Sequence, residues 1–336
     1  MAPLRSSGSD KDPSSPVGLP HGTGSRIERV SPDRPPLWVS DLVDIQQNRV
    51  DDLTAAEGGT VRLLSGRVAE ARAMPAAELR RATGDLYAKL RRAIAAGSAP
   101  YPVRFWNMLP FIQEPLGDGL DRYMAFNLGR HDAFRDWAGG ADRLASVVPT
   151  ATGIGHHGAD LFVYALCAGQ PAAPVENHRQ RPAWRYSERW GPAPPCFARA
   201  GRLDLGGGLI ALMVGGTASV RGEESIAPHL LEEQLAETFL NLDAVIATGL
   251  GVAEDRGGQF LVEARAYCLH ADDASAIATA ITSRCPDLER LEICHADICR
   301  AELRVEIEGL AVARRVGDRL EPVRDAIGAL CSAFHQ

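Results

Sequence analysis

The second half of this chain alternates between apolar strand-like runs and helices, and this order constrains the fold more than any other feature. The run Leu209-Ile-Ala-Leu-Met-Val214 follows three glycines and predicts a buried strand. Residues 228–249 carry apolar side chains at helical spacing, which predicts a helix. A strand over 259–269, a helix over 272–283 and the alternating segment Leu303-Arg-Val-Glu-Ile-Glu308 follow. The order strand–helix–strand–helix–strand predicts an α/β lobe.

The first half predicts a similar mixture behind a polar tail. Residues 1–36 are rich in Ser, Pro, Gly and Asp, and we expect disorder because little apolar surface offsets the ordering entropy. Periodicity predicts two helices and two strands, at residues 75–97 and 120–137 and at residues 101–106 and 160–167. The stretch 171–195, rich in Pro, Arg and aromatic residues, predicts a boundary between a lobe of residues 37–172 and a lobe of residues 173–336.

Charge and cysteine content disfavour several classes of protein. The 336 residues are 45% hydrophobic and carry a formal net charge of −7 with no long basic run. Nucleic acid is therefore not expected as a partner, since proteins that bind it concentrate Lys and Arg on one face. Seven cysteines without a CxxC pair disfavour a disulfide framework and a zinc ribbon. No metal ion or other cofactor is expected.

The chain shows no targeting or membrane signal. No apolar stretch is long enough to cross a bilayer, and the N-terminus lacks the apolar core of a signal peptide. We therefore expect a cytoplasmic protein with no membrane partner.

Four segments carry the most specific signal when they are taken together. They are Arg104-Phe-Trp-Asn-Met-Leu-Pro110 with residues 119–130, Asn177-His-Arg-Gln-Arg-Pro-Ala-Trp-Arg-Tyr186, Gly216-Thr-Ala-Ser-Val-Arg-Gly-Glu-Glu-Ser225 and Cys299-Arg-Ala-Glu-Leu-Arg-Val-Glu306. Together they resemble the chorismatases, enzymes that release pyruvate from chorismate. Residues 233–245 and Val305-Glu-Ile-Glu308 also resemble the Rid (YjgF-like) superfamily. The two resemblances imply an α/β (α+β) fold of two Rid/YjgF-like (chorismate-mutase-like) lobes, with mixed sheets packed by helices.

The chorismatase resemblance implies that Glu306 is the general acid. The residues alone favour a solvated strand face, because Arg304, Glu306 and Glu308 alternate with apolar neighbours. Glu308 is the neighbouring candidate, and only its position in the motif disfavours it. Cys299 is implied to steer the reaction towards an aromatic hydroxybenzoate.

Small residues at Gly216 and Ala218 would let a ligand approach the backbone closely. Ala218 matches a position at which chorismatases carry Ala or Gly. Ala fits the hydrolytic type, which gives a dihydroxycyclohexadiene carboxylate, whereas Cys299 fits the aromatising type. The expected product is 3-hydroxybenzoate, with 4-hydroxybenzoate and the dihydrodiol as alternatives.

Chorismate carries two carboxylates, and the planar fork of Arg fits a carboxylate with two hydrogen bonds. The candidate substrate-binding residues beside Gly216 and Ala218 are Arg104, Arg130, Gln180, Tyr186 and Arg199. A Rid-type imine deaminase and a non-catalytic small-molecule-binding protein are the alternatives to a chorismatase. Either a monomer or a trimer is expected.

Overall fold

The computed structural model describes residues 26–43, 47–50 and 52–335. The first half contains, in chain order, β1 (Arg26–Arg29), α1 (Leu37–Leu42), β2 (Gln47–Val50), β3 (Leu53–Gly58), β4 (Val61–Val68), α2 (Ala76–Ala95), β5 (Tyr101–Pro110), β6 (Pro115–Gly117), β7 (Leu120–Asp121), α3 (Arg122–Ala138), β8 (Thr150–His156) and β9 (Leu161–Ala168). The second half contains β10 (Ala173–Val175), β11 (Ala200–Asp204), β12 (Leu209–Ala218), β13 (Val220–Arg221), β14 (Glu224–Ser225), α4 (Leu231–Leu250), β15 (Leu261–Cys268), α5 (Ala274–Arg284), β16 (Arg290–His295), β17 (Val305–Val316), β18 (Arg319–Pro322) and α6 (Ala326–Phe334).

The two halves share one topology. A six-stranded sheet has the order β2-β3-β4-β9-β5-β8, and an eight-stranded sheet has the order β1-β16-β15-β17-β12-β11-β10 with β18 on β17. Apart from two short hairpins and the terminal elements β1, α1, β18 and α6, each lobe runs through three strands, a helix, a strand, a second helix and two more strands. The strand between the helices is parallel to the next strand and antiparallel to the last, in both lobes. The prediction of two alike lobes with mixed sheets packed by helices is confirmed.

The two sheets pack face to face between two layers of helices. Helices α2 and α3 cover the outer face of the first sheet, and α4 and α5 cover the outer face of the second. A third apolar core fills the space between the sheets and includes Trp106, Met108, Met213, Tyr267 and Leu310. The space between the lobes is therefore part of the interior, and residues from both halves meet there.

Strand β17 places its acidic side chains in this interior. Val305 and Ile307 pack in the core beneath the helices, so the alternation of the strand directs Glu306 and Glu308 towards the other sheet. Glu306 is 6% exposed and Glu308 is 1% exposed. The solvated face that the residues alone favoured is therefore wrong, because the first lobe covers the polar face of this strand.

Order begins earlier in the chain than predicted. The composition predicts disorder up to residue 36, yet β1 pairs in parallel with β16, and Ile27 packs against the core of the second lobe. Backbone hydrogen bonds to a sheet edge do not depend on side-chain polarity, which explains why composition missed this strand. Trp38 of α1 also shares a core with Phe334 of α6. Residues 1–25 lie outside the described residues.

Within the described ranges, no single helix is long and apolar enough to cross a membrane. Helix α4 and residues Glu254–Phe260, which are bent by 87° relative to each other, reach the length and apolar composition of a membrane span only when they are taken together. Much of α4 is buried against its sheet.

Candidate active site

A cavity of about 360 Å³ opens between the two lobes. The first lobe contributes Tyr123 from α3 and Thr152 from β8. The second lobe contributes β12 and β17 and the segment that joins the lobes. The lining from this lobe includes Gln180, Tyr186, Arg189, Trp190, Arg199, Gly216, Ala218, Cys299, Arg300, Glu302 and Glu306.

The carboxyl group of Glu306 lines this cavity. No hydrogen bond joins it to another protein group among the residues that the structure describes, so it is available to a ligand. Burial raises the pKa of Glu306 to about 8, the negative charge of Glu308 adds to this effect, and Arg104, Arg199 and Arg300 oppose it. At neutral pH Glu306 is therefore mostly protonated, as a general acid must be.

Gly216 allows Glu306 to occupy this position. A Cβ atom at residue 216 would lie 1.9 Å from Oε1 of Glu306. The backbone N–H of Gly216 donates a hydrogen bond of 3.0 Å to Oγ1 of Thr152 in the other lobe. The group that approaches the Gly216 backbone closely is therefore the carboxyl of Glu306, where the sequence predicted a ligand.

The described part of the chain contains seven buried arginines, and their partners divide them into two groups. Four are ion-paired with carboxylates: Arg62, Arg104, Arg122 and Arg265. Arg130, Arg199 and Arg300 form no ion pair within the described ranges. Of these three, Arg199 and Arg300 line the cavity. The cavity therefore holds two buried cations without carboxylate partners, which suits a dianionic ligand.

Neutral groups hold both arginines in place. Nη2 of Arg199 donates to the Tyr186 hydroxyl at 2.8 Å and to the carbonyl of Arg181 at 2.9 Å. Nη1 of Arg300 donates to the carbonyl of Glu223 at 2.9 Å and to Oγ of Ser225 at 3.0 Å. These partners fix each guanidinium without neutralising its charge.

Trp190 and Gln180 complete the polar wall. The Trp190 ring stacks on Arg300, with 3.4 Å from the guanidinium carbon to the ring centroid, and its buried Nε1 has no hydrogen-bond partner. Nε2 of Gln180 donates to the carbonyl of Val220 at 3.1 Å, which leaves the other groups of this amide to a ligand.

Cys299 and Ala218 lie together on the apolar part of the wall. Cys299 packs on a small cluster that contains Ala218, Ile298 and Leu303. Burial raises the pKa of the Cys299 thiol to about 12, and the charge of Glu306 adds to this effect. Cys299 is thus a neutral thiol beside the acid and not a thiolate nucleophile.

Arg104 does not reach the cavity, which corrects its predicted role in binding substrate. It is 1% exposed, and its guanidinium is paired with Glu308 at 2.6 Å and also donates to Thr152. Glu308 in turn accepts hydrogen bonds from Trp106 at 2.9 Å and from Tyr267 at 3.0 Å. A cation already neutralised in this way cannot serve a ligand carboxylate directly.

Arg130 also lies outside the cavity lining, and its predicted role in binding substrate is corrected in the same way. Its guanidinium carbon lies 5.7 Å from the ring centroid of Tyr87 and 5.3 Å from that of Phe134, in the core beneath the first sheet. Nε and Nη2 of Arg130 are buried without hydrogen-bond partners. The other predicted site residues, from Gln180 to Glu306, all line the cavity.

Arg300 and Trp190 are site residues that the sequence did not single out. Arg300 directly follows Cys299, but an isolated Arg in a loop is indistinguishable from a surface residue in sequence. Trp190 belongs to the segment rich in aromatic residues that predicts a boundary between the lobes. The side chain of Arg300 has its hydrogen-bond partners 75 or more residues away, and Trp190 stacks on this distant arginine, so local patterns carry no signal for their place in the site. Among the described residues, no cluster of His, Cys, Asp or Glu could hold a metal ion.

Comparisons with known proteins agree with this geometry. Residues 37–167 match the family described as "Chorismatase FkbO/Hyg5-like, N-terminal". A 3-hydroxybenzoate synthase of Streptomyces hygroscopicus is 30% identical over 309 residues, which cover 88% of this chain and 87% of that protein. A chorismatase of Streptomyces rapamycinicus is 34% identical over 222 residues, 64% of this chain and 65% of that protein.

A solved structure supports the same relationship. The crystal structure of a chorismatase at 1.08 Å resolution superposes with a TM-score of 0.69 and 26% identity, and covers 80% of this chain and 79% of that one. A two-lobed α/β fold with a buried acid and unpaired arginines between the lobes defines an enzyme-like class of protein. Within that class, the chain belongs to the chorismatase family.

Proposed function

We propose that this protein cleaves chorismate to pyruvate and 3-hydroxybenzoate. The observation that carries the proposal is the position of Glu306 in a cavity that also contains Arg199 and Arg300, two buried cations without carboxylate partners. Chorismate supplies the two carboxylates that these cations match. The relative named 3-hydroxybenzoate synthase, which aligns along most of both chains, supports the choice of product.

Glu306 begins the reaction as a general acid. Its proton goes to the methylene carbon of the enolpyruvyl ether, and the bond from the ether oxygen to the ring breaks as pyruvate leaves. Arg199 and Arg300 bind the two carboxylates, so that binding energy holds this ether against the acid. The closed wall around Glu306 keeps the acid protonated and limits access of water.

An intramolecular step completes the aromatic ring. The neighbouring ring hydroxyl attacks the carbon that pyruvate leaves and loses its proton, which gives an arene-oxide-like species. The epoxide bond to the carbon that first carried the hydroxyl then breaks, the carbon that keeps the oxygen loses its proton, and the oxygen regains a proton to give the aromatic hydroxyl. Glu306, deprotonated by the first step, is positioned to take the proton that this ring carbon loses. No water is consumed, and the atoms of chorismate divide between pyruvate and hydroxybenzoate.

Cys299 would favour this route by keeping water from the reacting carbon. The alternative product, 3,4-dihydroxycyclohexa-1,5-diene carboxylate, requires a water molecule in the same region. Ala218, which packs beside Cys299, matches the residue expected in the hydrolytic type and so favours that alternative. Both lobes of one chain line the cavity, so a monomer supplies every group named here.

The experiment is incubation of the purified protein with chorismate. Pyruvate is quantified and the ring product is identified by chromatography and mass. The Glu306→Gln variant should lose at least about 100-fold in kcat, the lower range for a general acid. Glu302→Gln is the matched control, because Glu302 lines the same cavity but accepts a hydrogen bond of 2.6 Å from Ser225. Absence of pyruvate with the wild-type protein would refute the proposal and favour an imine or another carboxylate substrate.

A further inference from the structure

A second cavity of about 640 Å³ lies between the lobes and shares no lining residue with the active cavity. Its floor is the inner face of the first sheet at β3, β4 and β9, and the segment that joins β1 to α1 forms much of its wall. Strands β4 and β9 occupy in the first sheet the places that β12 and β17 occupy in the second. The cavity therefore lies on the strands of the first lobe that correspond to those carrying Gly216 and Glu306 in the second.

Three hydroxyl groups form a row across this floor. Thr54 lies directly opposite Ser65 in the pairing of β3 with β4, and Ser65 lies directly opposite Tyr164 in the pairing of β4 with β9. Residues that lie opposite one another point to the same face of a sheet, with Cβ atoms about 4.5–5.5 Å apart. All three side chains are half-buried and line the cavity, so the row faces it.

These hydroxyl groups have free hydrogen-bonding capacity. Among the described residues, neither Oγ1 of Thr54 nor Oγ of Ser65 has a hydrogen-bond partner, and each can both donate and accept. The Tyr164 hydroxyl donates to the carbonyl of Asp33 at 2.9 Å and can still accept. Since all three residues line the cavity, a ligand there can reach them.

The charges around the cavity favour an uncharged ligand. Arg265 is the buried cation in the wall, but its Nε donates to Glu292 at 3.0 Å and its Nη2 to the carbonyl of Pro35 at 2.9 Å. Asp33 and Arg34, which also line the cavity, carry opposite charges. A charged ligand would therefore lose hydration without meeting a buried charge that is free to pair with it.

We propose that this cavity binds an uncharged six-membered ring that carries several hydroxyl groups, as in a monosaccharide or a cyclitol. Hydroxyl groups on alternate carbons of such a ring are spaced about as far apart as opposite side chains on neighbouring strands. Two of them can therefore bind Thr54 and Ser65, or Ser65 and Tyr164. Ala56 and Leu63, which are the next opposite pair on the same face, pack against the C–H groups of the ring.

The test is a titration of the intact protein with myo-inositol and, separately, with D-glucose, followed by saturation-transfer difference NMR. We expect saturable binding of at least one of them with a dissociation constant of about 1–10 mM, the range of a small ligand with few contacts. Ser65→Ala removes the middle hydroxyl of the row, and Thr54→Val removes its neighbour while keeping the shape of the side chain. Each variant should raise the dissociation constant about fivefold, the effect of one hydrogen bond. Ser146→Ala is the matched control, because Ser146 is exposed outside this cavity and should leave the affinity unchanged.

Two further variants separate this site from the active cavity, since the inference goes beyond the proposed reaction and does not depend on it. Ser65→Phe fills the second cavity and should abolish binding of the ring while leaving pyruvate release from chorismate unchanged. Arg199→Ala changes only the active cavity and should leave the affinity for the ring unchanged. Binding that is lost in Arg199→Ala but unchanged in Ser65→Ala and Thr54→Val would place the ligand in the active cavity and overturn the proposal. Absence of saturable binding of both probes to the wild-type protein would overturn it as well.

Discussion

Arg104 of β5 and Glu308 of β17 form a buried salt bridge between the two lobes, with 2.6 Å between Nη2 and Oε2. Thr152 joins this pair, because it donates a hydrogen bond to Glu308 and accepts one from the N–H of Gly216. The pair therefore ties the two sheets together directly behind the proposed acid. Neither residue lines the cavity, so we expect this pair to position the lobes and to set the charge near Glu306.

Removal of Arg104 should cost much more stability than removal of an exposed arginine. Arg104→Met leaves Glu308 buried without its cation, and we expect the free energy of unfolding to fall by about 3–5 kcal/mol. The control is Arg80→Met, since Arg80 pairs with Asp132 at the surface with 48% and 42% of the side chains exposed. That change should cost about 0–1 kcal/mol. Urea denaturation measures both values, and equal losses would contradict the prediction.

The pH dependence of catalysis should follow Glu306. Because the protonated carboxyl is the active form and its pKa is raised to about 8, kcat should be highest below pH 8 and fall as the pH rises through that value. Removing the negative charge of Glu308 lowers the pKa of Glu306. In Glu308→Gln the pH at which kcat falls should therefore be lower than in the wild-type protein. Pyruvate release measures kcat, and circular dichroism shows that the variant is folded. If kcat falls at the same pH or at a higher pH, the charge of Glu308 does not raise the pKa of Glu306.

Gly216→Ala should impair the chemical step. The new Cβ would lie 1.9 Å from Oε1 of Glu306, so the acid must move away from its position in the cavity. We expect kcat to fall by about 100-fold, comparable to the loss of the general acid. Gly84→Ala in α2 is the control, because its Cβ would meet only the carbonyl oxygen of Gly129, at 3.7 Å. Unchanged turnover in Gly216→Ala would mean that Glu306 has another productive position.

The two unpaired arginines should contribute mainly to substrate binding. Arg199→Ala and Arg300→Ala each remove a charged hydrogen-bond donor, worth about 1.5–3 kcal/mol, so kcat/KM should fall about 10- to 150-fold. Arg189 also lines the cavity, but it is exposed and paired with Glu224 at 2.6 Å. Arg189→Ala should therefore change kcat/KM less than threefold or so, a typical effect of an exposed pair. Steady-state kinetics with chorismate compares the three variants. An equal loss of kcat/KM in all of them would contradict the proposal that only the unpaired arginines bind the substrate.

Cys299 should affect the product more than the rate. In Cys299→Ala the smaller side chain admits water beside Ala218, and we expect part of the product to change from 3-hydroxybenzoate to the dihydrodiol. Pyruvate release should remain within about tenfold of wild type, because the general acid is intact. Chromatography of the ring products gives the ratio. Cys285→Ala is the control, because Cys285 is buried in the core beneath the helices of the second lobe and should not change the product. An unchanged ratio of the two ring products in Cys299→Ala would contradict a role of Cys299 in the choice of product.

Local sequence patterns predicted most of the helices and several of the strands. The helix expected over 75–97 is α2, and the strand that begins at Leu209 is β12. Hydrophobic periodicity succeeds there because each element buries one continuous face. The strands β3, β4, β8 and β16 were not predicted, and neither was β1, which is held by backbone pairing with β16.

The sequence by itself determined the alternation of Val305-Glu-Ile-Glu308 and supplied the small residue at 216. It could not decide which face of that strand meets solvent. The tertiary structure decided this by placing the first lobe over the polar face, so that Glu306 and Glu308 are both buried, Glu308 paired with Arg104 and Glu306 facing the cavity. It also decided which arginines are neutralised, because Arg104 meets Glu308 across 204 residues of sequence. Pairing over such separations depends on how two sheets pack, and no local pattern records it.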